Sequence, residues 1–483
     1  MALDLIAQIP WFAWILLYLV FAWLFALAAK RFLATEASGI LLIWKTKRFN
    51  FTLDRFSHHE RLWDACTKAA LVFGFGAIGL DYQIRDKYSK LQRAGIFIAS
   101  TIALSVFFHT VFGFFLANPL ANTMNDWLAV VYGIGGFAFF ILASLANYGY
   151  FIIESKLAGT SVCPGVAPII PGVEIPGVPL VAPAHAWISF LIILVLHEGM
   201  HGVLLRKAGL AIKSTGLLLV GILPVGAFVE PDEIELAGAS KDAQWKVFVA
   251  GAGSNLALFG ILMVLVGLQP TDPNNVSVFT QFVYKPFIME WRNAQFENAI
   301  SHYQVENVIE STAFCGHDYK NPAFGQVEIG STLVAINGER ITLAKPLPTK
   351  ANQPAVVELV TPDGNTVTKR FVANELGRLG IAFNPVYKNP DQPFESSFLN
   401  YLQIESLFAS FFFWLILLNV LVAAANFLPS EPFDGGKIAK IVYLPYLDFL
   451  KLPEGDTQHL IQSVFLSLAT IVFFVNALPF VLG

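Results

Sequence analysis

The sequence has 483 residues, of which 55% are hydrophobic and only 14% are charged, and its formal net charge is −4. A composition this apolar, with 44 phenylalanines and 10 tryptophans, is typical of a membrane protein and excludes an ordinary soluble enzyme. The small net charge and the lack of basic runs argue against a nucleic-acid-binding protein, so nucleic acid is not an expected partner.

Residues 1–153 are predicted to form an N-terminal transmembrane region. A first span is expected from Pro10 to about Ala29, because this stretch is apolar and long enough to cross a membrane. It is not predicted to be a cleaved signal peptide, because no basic segment precedes it. Basic residues follow it, so the positive-inside rule places that side in the cytoplasm and the N-terminus outside. The segment from Leu62 to Leu80 either crosses the membrane or lies in its interface. A crossing is required if both the N-terminus and the start of the later span near Ala184 lie outside, because an even number of spans must then separate them. Residues 94–117 and 127–153 are predicted spans.

Residues 154–183 are rich in Pro-Gly pairs, which forbid helix and indicate successive turns in an extended outer loop. Cys163 lies in this loop, and Cys315 lies in a later segment that is also predicted to be outside. A disulfide between them is one possibility, and two unpaired thiols are the other.

A polar motif interrupts the next predicted span, from about Ala184 to Leu205. On a helix, His197 and His201 lie one turn apart on the same face, where they can offer two nitrogens to one tetrahedral zinc ion. Glu198 between them can reach a water activated by the metal and act as a general base. Such groups are costly in hydrocarbon unless they are paired or functional. The motif therefore predicts a zinc hydrolase, with a polar core cluster as the alternative.

One lysine precedes this span and several basic residues follow it, so the motif is predicted in the cytoplasmic half of the membrane. The segment from Ser214 to Glu230 is interrupted by glycine and proline, which favours a hairpin at membrane depth over an ordinary buried loop. Its strand edge could hold an unfolded peptide. Gly251 and Asn255 follow in the span from Lys246 to Leu268. We predict that residues 184–268 form the first part of a catalytic membrane core.

Residues 270–398 are polar and rich in turns, and they are predicted to form a small extracytoplasmic domain. Alternating apolar residues from Gly325 to Ile341 include an Asn337-Gly338 turn, and residues 355–360 and 366–372 are predicted to form a strand pair. The first of these segments resembles a PDZ domain. A generic β-rich insert is the alternative.

Residues 400–483 are predicted to form the second part of the core, with spans at about 407–428 and 461–482. A catalytic zinc takes three protein ligands and keeps a fourth position for water. Asp434 follows the first of these spans on the side predicted for His201, so it is the predicted third ligand. An Asp-Gly-Gly sequence is otherwise common in turns.

These motifs resemble the site-2 protease family of intramembrane zinc metalloproteases, in particular its archaeal members. The matching runs are His197-Glu198-Gly-Met-His201, residues 226–232, Gly251-Ala-Gly-Ser-Asn255 and residues 426–435. The resemblance covers about 184–268 and 400–440. Together the sequence predicts a polytopic α-helical membrane protein of about seven to eight spans, with a small β-rich PDZ-like extracytoplasmic domain inserted between core spans.

The resemblance implies hydrolysis of peptide bonds in or beside transmembrane helices, usually after another protease has shed the substrate's outer part. One zinc ion per chain would be held by the two histidines and Asp434, with Glu198 as general base. Transmembrane protein substrates and membrane lipid are the implied partners, in the cell membrane. Asn255 would position the substrate or stabilise the oxyanion, and Asn426 would hold the substrate backbone. Either asparagine could instead make only a helix-helix hydrogen bond, worth about 1 kcal/mol.

Two other functions remain open. A transporter or a non-catalytic metal-binding membrane protein would also bury polar groups, but it would not need Glu198 between the histidines. A metalloprotease with a glutamate as third ligand and a soluble active site would not need Asp434.

Overall fold

A computed structural model describes residues 11–32, 36–47, 49–115, 126–160, 162–175, 178, 180–315, 317–341 and 349–482. The predicted start of the first span at Pro10 and the predicted end of another at residue 117 lie outside these residues. The chain divides into two compact units. The first contains described residues within 1–150, 182–260 and 414–476, and the second contains those within 151–181, 261–413 and 477–483.

The α-helices make up about half of the chain, and the long ones are apolar. In chain order they are Trp11–Phe32 (α1), Asn50–Ser57 (α2), Glu60–Ile84 (α3), Lys90–Phe115 (α4), Asp126–Leu157 (α5), Ala186–Lys207 (α6), Glu233–Gly238 (α7), Lys241–Leu265 (α8), Glu290–Ala299 (α9), Ser396–Asn426 (α10), Asp434–Val442 (α11), Glu454–Ala477 (α12) and Pro479–Leu482 (α13). Among the described residues, six helical segments are long and apolar enough to cross a membrane. They are α4, α5, α6, α8, α10 and the α12–α13 segment. A polytopic membrane protein is therefore the fold class.

The number of spans stays a prediction, because seven to eight were expected and the described residues supply six candidates. Neither α1 nor α3 is among the six. The predicted segment from Leu62 to Leu80 lies within α3, which carries the charged residues Asp64, Lys68 and Asp81. Charged side chains in hydrocarbon are costly, so α3 is poorly suited to an ordinary lipid-facing span.

The β-strands form a sheet in each unit and one small hairpin. They are Glu36–Ser38 (β1), Leu41–Thr46 (β2), Ile212–Val220 (β3), Leu223–Pro231 (β4), Ile300–Val308 (β5), Ser311–Phe314 (β6), His317–Lys320 (β7), Thr332–Ile336 (β8), Glu339–Arg340 (β9), Pro354–Val360 (β10), Thr366–Val372 (β11) and Ile381–Tyr387 (β12).

The first unit contains a four-stranded sheet in the order β1-β2-β3-β4. The predicted hairpin within 214–230 is present as β3 and β4, which pair antiparallel from Ile212↔Pro231 to Val220↔Leu223. The sequence analysis did not predict β1 and β2, which extend this sheet through the antiparallel pairing of β2 with β3. The strand β4 lies at the edge of the sheet.

The N-terminal helices of the first unit pack against the helices that continue the chain after residue 240. The ring of Phe427, just after α10, occupies the space that Gly74 leaves on α3, where a Cβ atom would lie 2.3 Å from it. Gly253 on α8 similarly faces Ala70, whose Cβ would lie 2.6 Å from a Cβ at the glycine. The sequence assigned no role to these helices, and the contacts make them a support for α8 and the end of α10.

Two glycines break α3 and α5 where the helices meet. Gly76 has φ +60° and Gly136 has φ +61°, a region of backbone conformation that L side chains rarely adopt. A Cβ on Gly76 would lie 2.6 Å from the backbone nitrogen of Gly136. Glycine is therefore required here for two reasons: the backbone conformation and the close approach of the two backbones.

The second unit contains a six-stranded antiparallel sheet with the path β11-β10-β8-β5-β12, and β9 pairs with β8. The predicted strand pair is confirmed, since Ala355 lies opposite Phe371 and Val360 opposite Thr366. The Asn337-Gly338 turn joins β8 to β9 with both residues at positive φ, as a two-residue hairpin turn requires. The resemblance to a PDZ domain stays a prediction.

The predicted outer loop is joined covalently to a strand pair of the second unit. Cys163 in the loop forms a disulfide with Cys315, which follows β6, with the two Cα atoms 4.6 Å apart. Of the two possibilities left by the sequence, the structure has the paired one. The remaining cysteine, Cys66, is free.

Candidate metal centre

Two imidazoles face the same side of α6. This helix is apolar along most of its length, and His197 and His201 are one turn apart with ring centroids at 5.0 Å. His197 is 6% exposed. A buried polar pair in such a helix needs partners, because an unpaired polar group in an apolar interior costs several kcal/mol.

The third group comes from the first residue of α11. The Oδ2 atom of Asp434 lies 3.2 Å from Nε2 of His197 and 3.0 Å from Nε2 of His201, and the two Nε2 atoms are 3.3 Å apart. Gly435 and Gly436 let the chain turn sharply here, since a Cβ on Gly435 would lie 2.3 Å from the carbonyl oxygen of Leu428. The structure thus brings together the three residues predicted to bind metal.

The donor set fits a zinc ion. All three ligand atoms lie within 4.8 Å of one another. Ligands at about 2.0–2.1 Å from a tetrahedral zinc ion lie roughly 3.3 Å apart, close to the observed separations. Gly251 on α8 leaves room beside them, since a Cβ there would lie 2.4 Å from Nε2 of His201 and 2.5 Å from Nε2 of His197. Two nitrogens and one carboxylate oxygen also leave a fourth position for water.

The surroundings of Asp434 lower the pKa of its carboxyl group. Burial alone raises the pKa of its carboxyl, but the neighbouring imidazoles outweigh that effect and hold the pKa below its usual range. Lys437 adds a weaker contact, with Nζ 3.7 Å from Oδ1 of Asp434.

The Nδ1 atoms of both imidazoles, on the side away from Asp434, contact α8. Nδ1 of His201 lies 2.7 Å from the carbonyl oxygen of Val247, and Nδ1 of His197 lies 3.2 Å from the side-chain amide of Asn255. Asn255 is fully buried and contacts His197, and its predicted role in positioning the substrate or stabilising the oxyanion stays a prediction. Asn426 donates from Nδ2 to the carbonyl oxygen of Val422 in its own helix, at 3.0 Å. A substrate contact by Asn426 stays a prediction.

Glu198 points towards the four-stranded sheet. Its Oε2 atom accepts a hydrogen bond from the backbone N–H of Val229 in β4 at 3.2 Å. The carboxylate also lines a mainly apolar cavity of about 710 Å³. The predicted general base therefore lies between the histidine face of α6 and the edge strand.

The cavity lies between the sheet, α6 and α2. One wall is the cross-strand row formed by Trp44, Leu217 and Ala227, which are register partners on β2, β3 and β4. The opposite wall includes Val195 and Gly199 on α6. A volume of this size is in the range of ligand-binding cavities.

The sequence analysis missed Val247 and Val229, and it named Gly251 without predicting that it lies beside the imidazoles. Val247 and Val229 act through backbone atoms, and Gly251 acts by lacking a side chain, so their residue types carry little signal. One signal was present but not used: the apolar run from Leu41 to Trp44, which lies in β2.

Comparison with known proteins adds two findings. The sequence model described as "Peptidase family M50" matches residues 185–472, more than half of the chain and the whole of the metal centre. An uncharacterized protein from Methanocaldococcus jannaschii is 24% identical over 362 residues, which are 73% of this chain and 80% of that protein.

Proposed function

The chain belongs to peptidase family M50, and from this we propose that it is an intramembrane zinc metalloprotease that hydrolyses peptide bonds in or beside transmembrane helices of substrate proteins. The observation that carries the proposal is the close triangle of His197, His201 and Asp434 beside Glu198, on a helix apolar enough to span a membrane. A transporter has no need for a carboxylate at the position of Glu198.

Zinc would be held by Nε2 of each histidine and by a carboxylate oxygen of Asp434. When bound, it would supply a Lewis acid that makes water a strong nucleophile near neutral pH and polarises the scissile carbonyl group. The protein's contribution is to hold three ligand atoms in place and to leave one side of the triangle accessible.

Glu198 would act as the general base and then as the general acid. One carboxylate oxygen would take a proton from the attacking water and deliver it to the leaving amine nitrogen. The hydrogen bond from the N–H of Val229 orients the carboxylate towards the edge strand, where substrate would lie. A carboxamide at this position has the same shape but no basic oxygen, so it cannot take the proton.

The substrate would bind as an extended segment along β4. A helix hides its peptide groups in internal hydrogen bonds, so the substrate helix must unwind before attack. The edge of β4 can pair with the unwound backbone, as in other strand-addition complexes. The apolar cavity beside Glu198 would receive apolar side chains of the transmembrane segment.

We place the active site towards the cytoplasmic half of the membrane and the β-rich domain outside. Lysines and arginines after α6 support the first assignment through the positive-inside rule. The Cys163–Cys315 disulfide supports the second, because disulfides persist in oxidising compartments. A PDZ-like domain there could exclude substrates with bulky outer parts, or bind a C-terminus exposed by an earlier cleavage.

The proposal is tested with purified full-length protein in lipid vesicles and a synthetic transmembrane peptide whose helix is weakened by glycine and proline. We expect cleavage at peptide bonds within the membrane segment, loss of cleavage after chelation, and recovery when zinc is restored. Mass spectrometry of the products locates the cut. Cleavage that persists in fully chelated protein, or cuts confined to flanking soluble residues, would contradict the proposal.

A further inference from the structure

One face of α8 lies against the Nδ1 atoms of both imidazoles. Val247, Gly251 and Asn255 follow one another at four-residue intervals, so they lie on one side of the helix. Val247 contacts Nδ1 of His201, and Asn255 contacts Nδ1 of His197. Gly251, between them, leaves the space at the two Nε2 atoms. The same helix face thus meets both rings.

The ring proton of each histidine must sit on Nδ1 if Nε2 gives its lone pair to a metal. Metal-binding histidines almost always donate that Nδ1–H to a carbonyl, carboxylate or water. His201 meets this requirement, because the carbonyl oxygen of Val247 can only accept. His197 needs an acceptor in the same way, and the side chain that faces its Nδ1 is Asn255.

The amide of Asn255 carries both a donor and an acceptor. Its Nδ2 atom lies 3.2 Å from Nδ1 of His197. Its Oδ1 atom is buried and has no hydrogen-bond partner within the described part of the chain. No hydrogen bond on the far side therefore holds the amide in one orientation, and rotation about the Cβ–Cγ bond exchanges the two atoms.

We infer that Asn255 is a positioning residue of the metal centre: its Oδ1 accepts the Nδ1 proton of His197 and thereby directs the Nε2 lone pair of that ring to zinc. This inference rests on the proposed function, and it differs from the substrate or oxyanion role that the family resemblance implies. An oxyanion role requires the amide N–H groups, whereas the positioning role requires only an acceptor.

Zinc affinity of the purified full-length protein, measured by competition with a chelator, tests the inference. Asn255→Ala removes the acceptor, and we expect zinc to bind about 10–100-fold more weakly, the usual cost of losing such a partner. Asn255→Asp keeps an acceptor, and we expect affinity at or above that of the wild type. Asn419→Ala is the matched control, since Asn419 is also fully buried with an unpartnered oxygen but donates to Leu415 of its own helix.

The outcomes separate the two roles. Wild-type affinity in Asn255→Ala, or equal weakening in the alanine and aspartate variants, would overturn the positioning role. Normal zinc binding in both variants with loss of peptide cleavage in both would assign Asn255 to the oxyanion instead. If Asn255→Ala does not fold, Asn255→Asp alone decides, because loss of zinc from that variant contradicts the inference. A wild type that binds no zinc would remove the proposed function itself.

Discussion

The two sides of the imidazole pair are built from different kinds of residue. On the Nε2 side, Asp434 contributes a charged side chain at 3.0–3.2 Å from both rings. On the Nδ1 side, α8 contributes a backbone carbonyl and a buried amide. In the proposed zinc centre, the first side supplies the carboxylate ligand and the second side contacts the outer edges of the rings. Only the first side depends on residue types that chemistry makes rare in a membrane.

The largest effect should come from the Nε2 side. Asp434→Ala removes one of three ligands, so we expect zinc affinity to fall by well over the roughly 100-fold that a lost supporting hydrogen bond can cost. Metal analysis after dialysis against a weak chelator measures it. Glu431→Ala is the control, because this acidic residue of the same turn pairs with Lys440 instead. Equal zinc retention in both variants would exclude Asp434 as a ligand.

A somewhat smaller effect should come from crowding the two Nε2 atoms with a side chain on α8. A Cβ at residue 251 would lie 2.4–2.5 Å from both Nε2 atoms, so Gly251→Ala should displace a ring or α8 and weaken zinc by about 10–100-fold. Gly260→Ala lies on the same helix, where a Cβ meets nothing within 4 Å. If the two alanine variants bind zinc alike in a chelator competition, the space at Gly251 has no part in shaping the centre.

Filling the cavity should lower kcat/KM for peptide cleavage and leave the zinc content unchanged. Gly199 lines the cavity, and a Cβ there would meet nothing within 4 Å. In the series Gly199→Ala, →Leu and →Phe, we expect kcat/KM for an apolar transmembrane peptide to fall stepwise, by about 10-fold or more at phenylalanine. Zinc content should stay constant. A phenylalanine variant with unchanged kcat/KM would show that substrate does not use this cavity.

The smallest effect should come from the exposed partner of Asp434. Lys437 is 45% exposed and its Nζ lies 3.7 Å from Oδ1. Such pairs contribute about 0–1 kcal/mol, so Lys437→Gln should change zinc affinity by less than about fivefold. A much larger change in the chelator competition would show that Lys437 is part of the metal centre. Asp434 would then not be the only charged side chain that matters on the Nε2 side.

The sequence predicted which side chains come together on the Nε2 side, because few functions explain two histidines and a glutamate in an apolar helix. Asp434 follows the two histidines by more than 230 residues, yet the structure places the three ligand atoms within 4.8 Å of one another. Asn255 was selected correctly as a buried amide in need of a partner, but its partner is His197. That partner depends on how α6 and α8 pack, which residue spacing within one helix does not reveal.

The fold was predicted where local patterns decide it. The hairpin β3–β4 and the strand pair β10–β11 follow from turn residues and alternation. The pairing of β2 with β3 joins residues about 170 positions apart and has no local signal. Gly76 and Gly136 likewise break two helices that the sequence presents as continuous apolar runs, because the reason for each break is the other helix.

The most direct test of the account compares zinc content and peptide cleavage in the same preparations of wild type and Glu198→Gln. We expect one zinc ion per chain in both, cleavage of the transmembrane peptide by the wild type, and a loss of at least about 100-fold in kcat for the variant. Full cleavage by Glu198→Gln, or cleavage by wild-type protein that contains no metal, would contradict a zinc-dependent mechanism with Glu198 as the base.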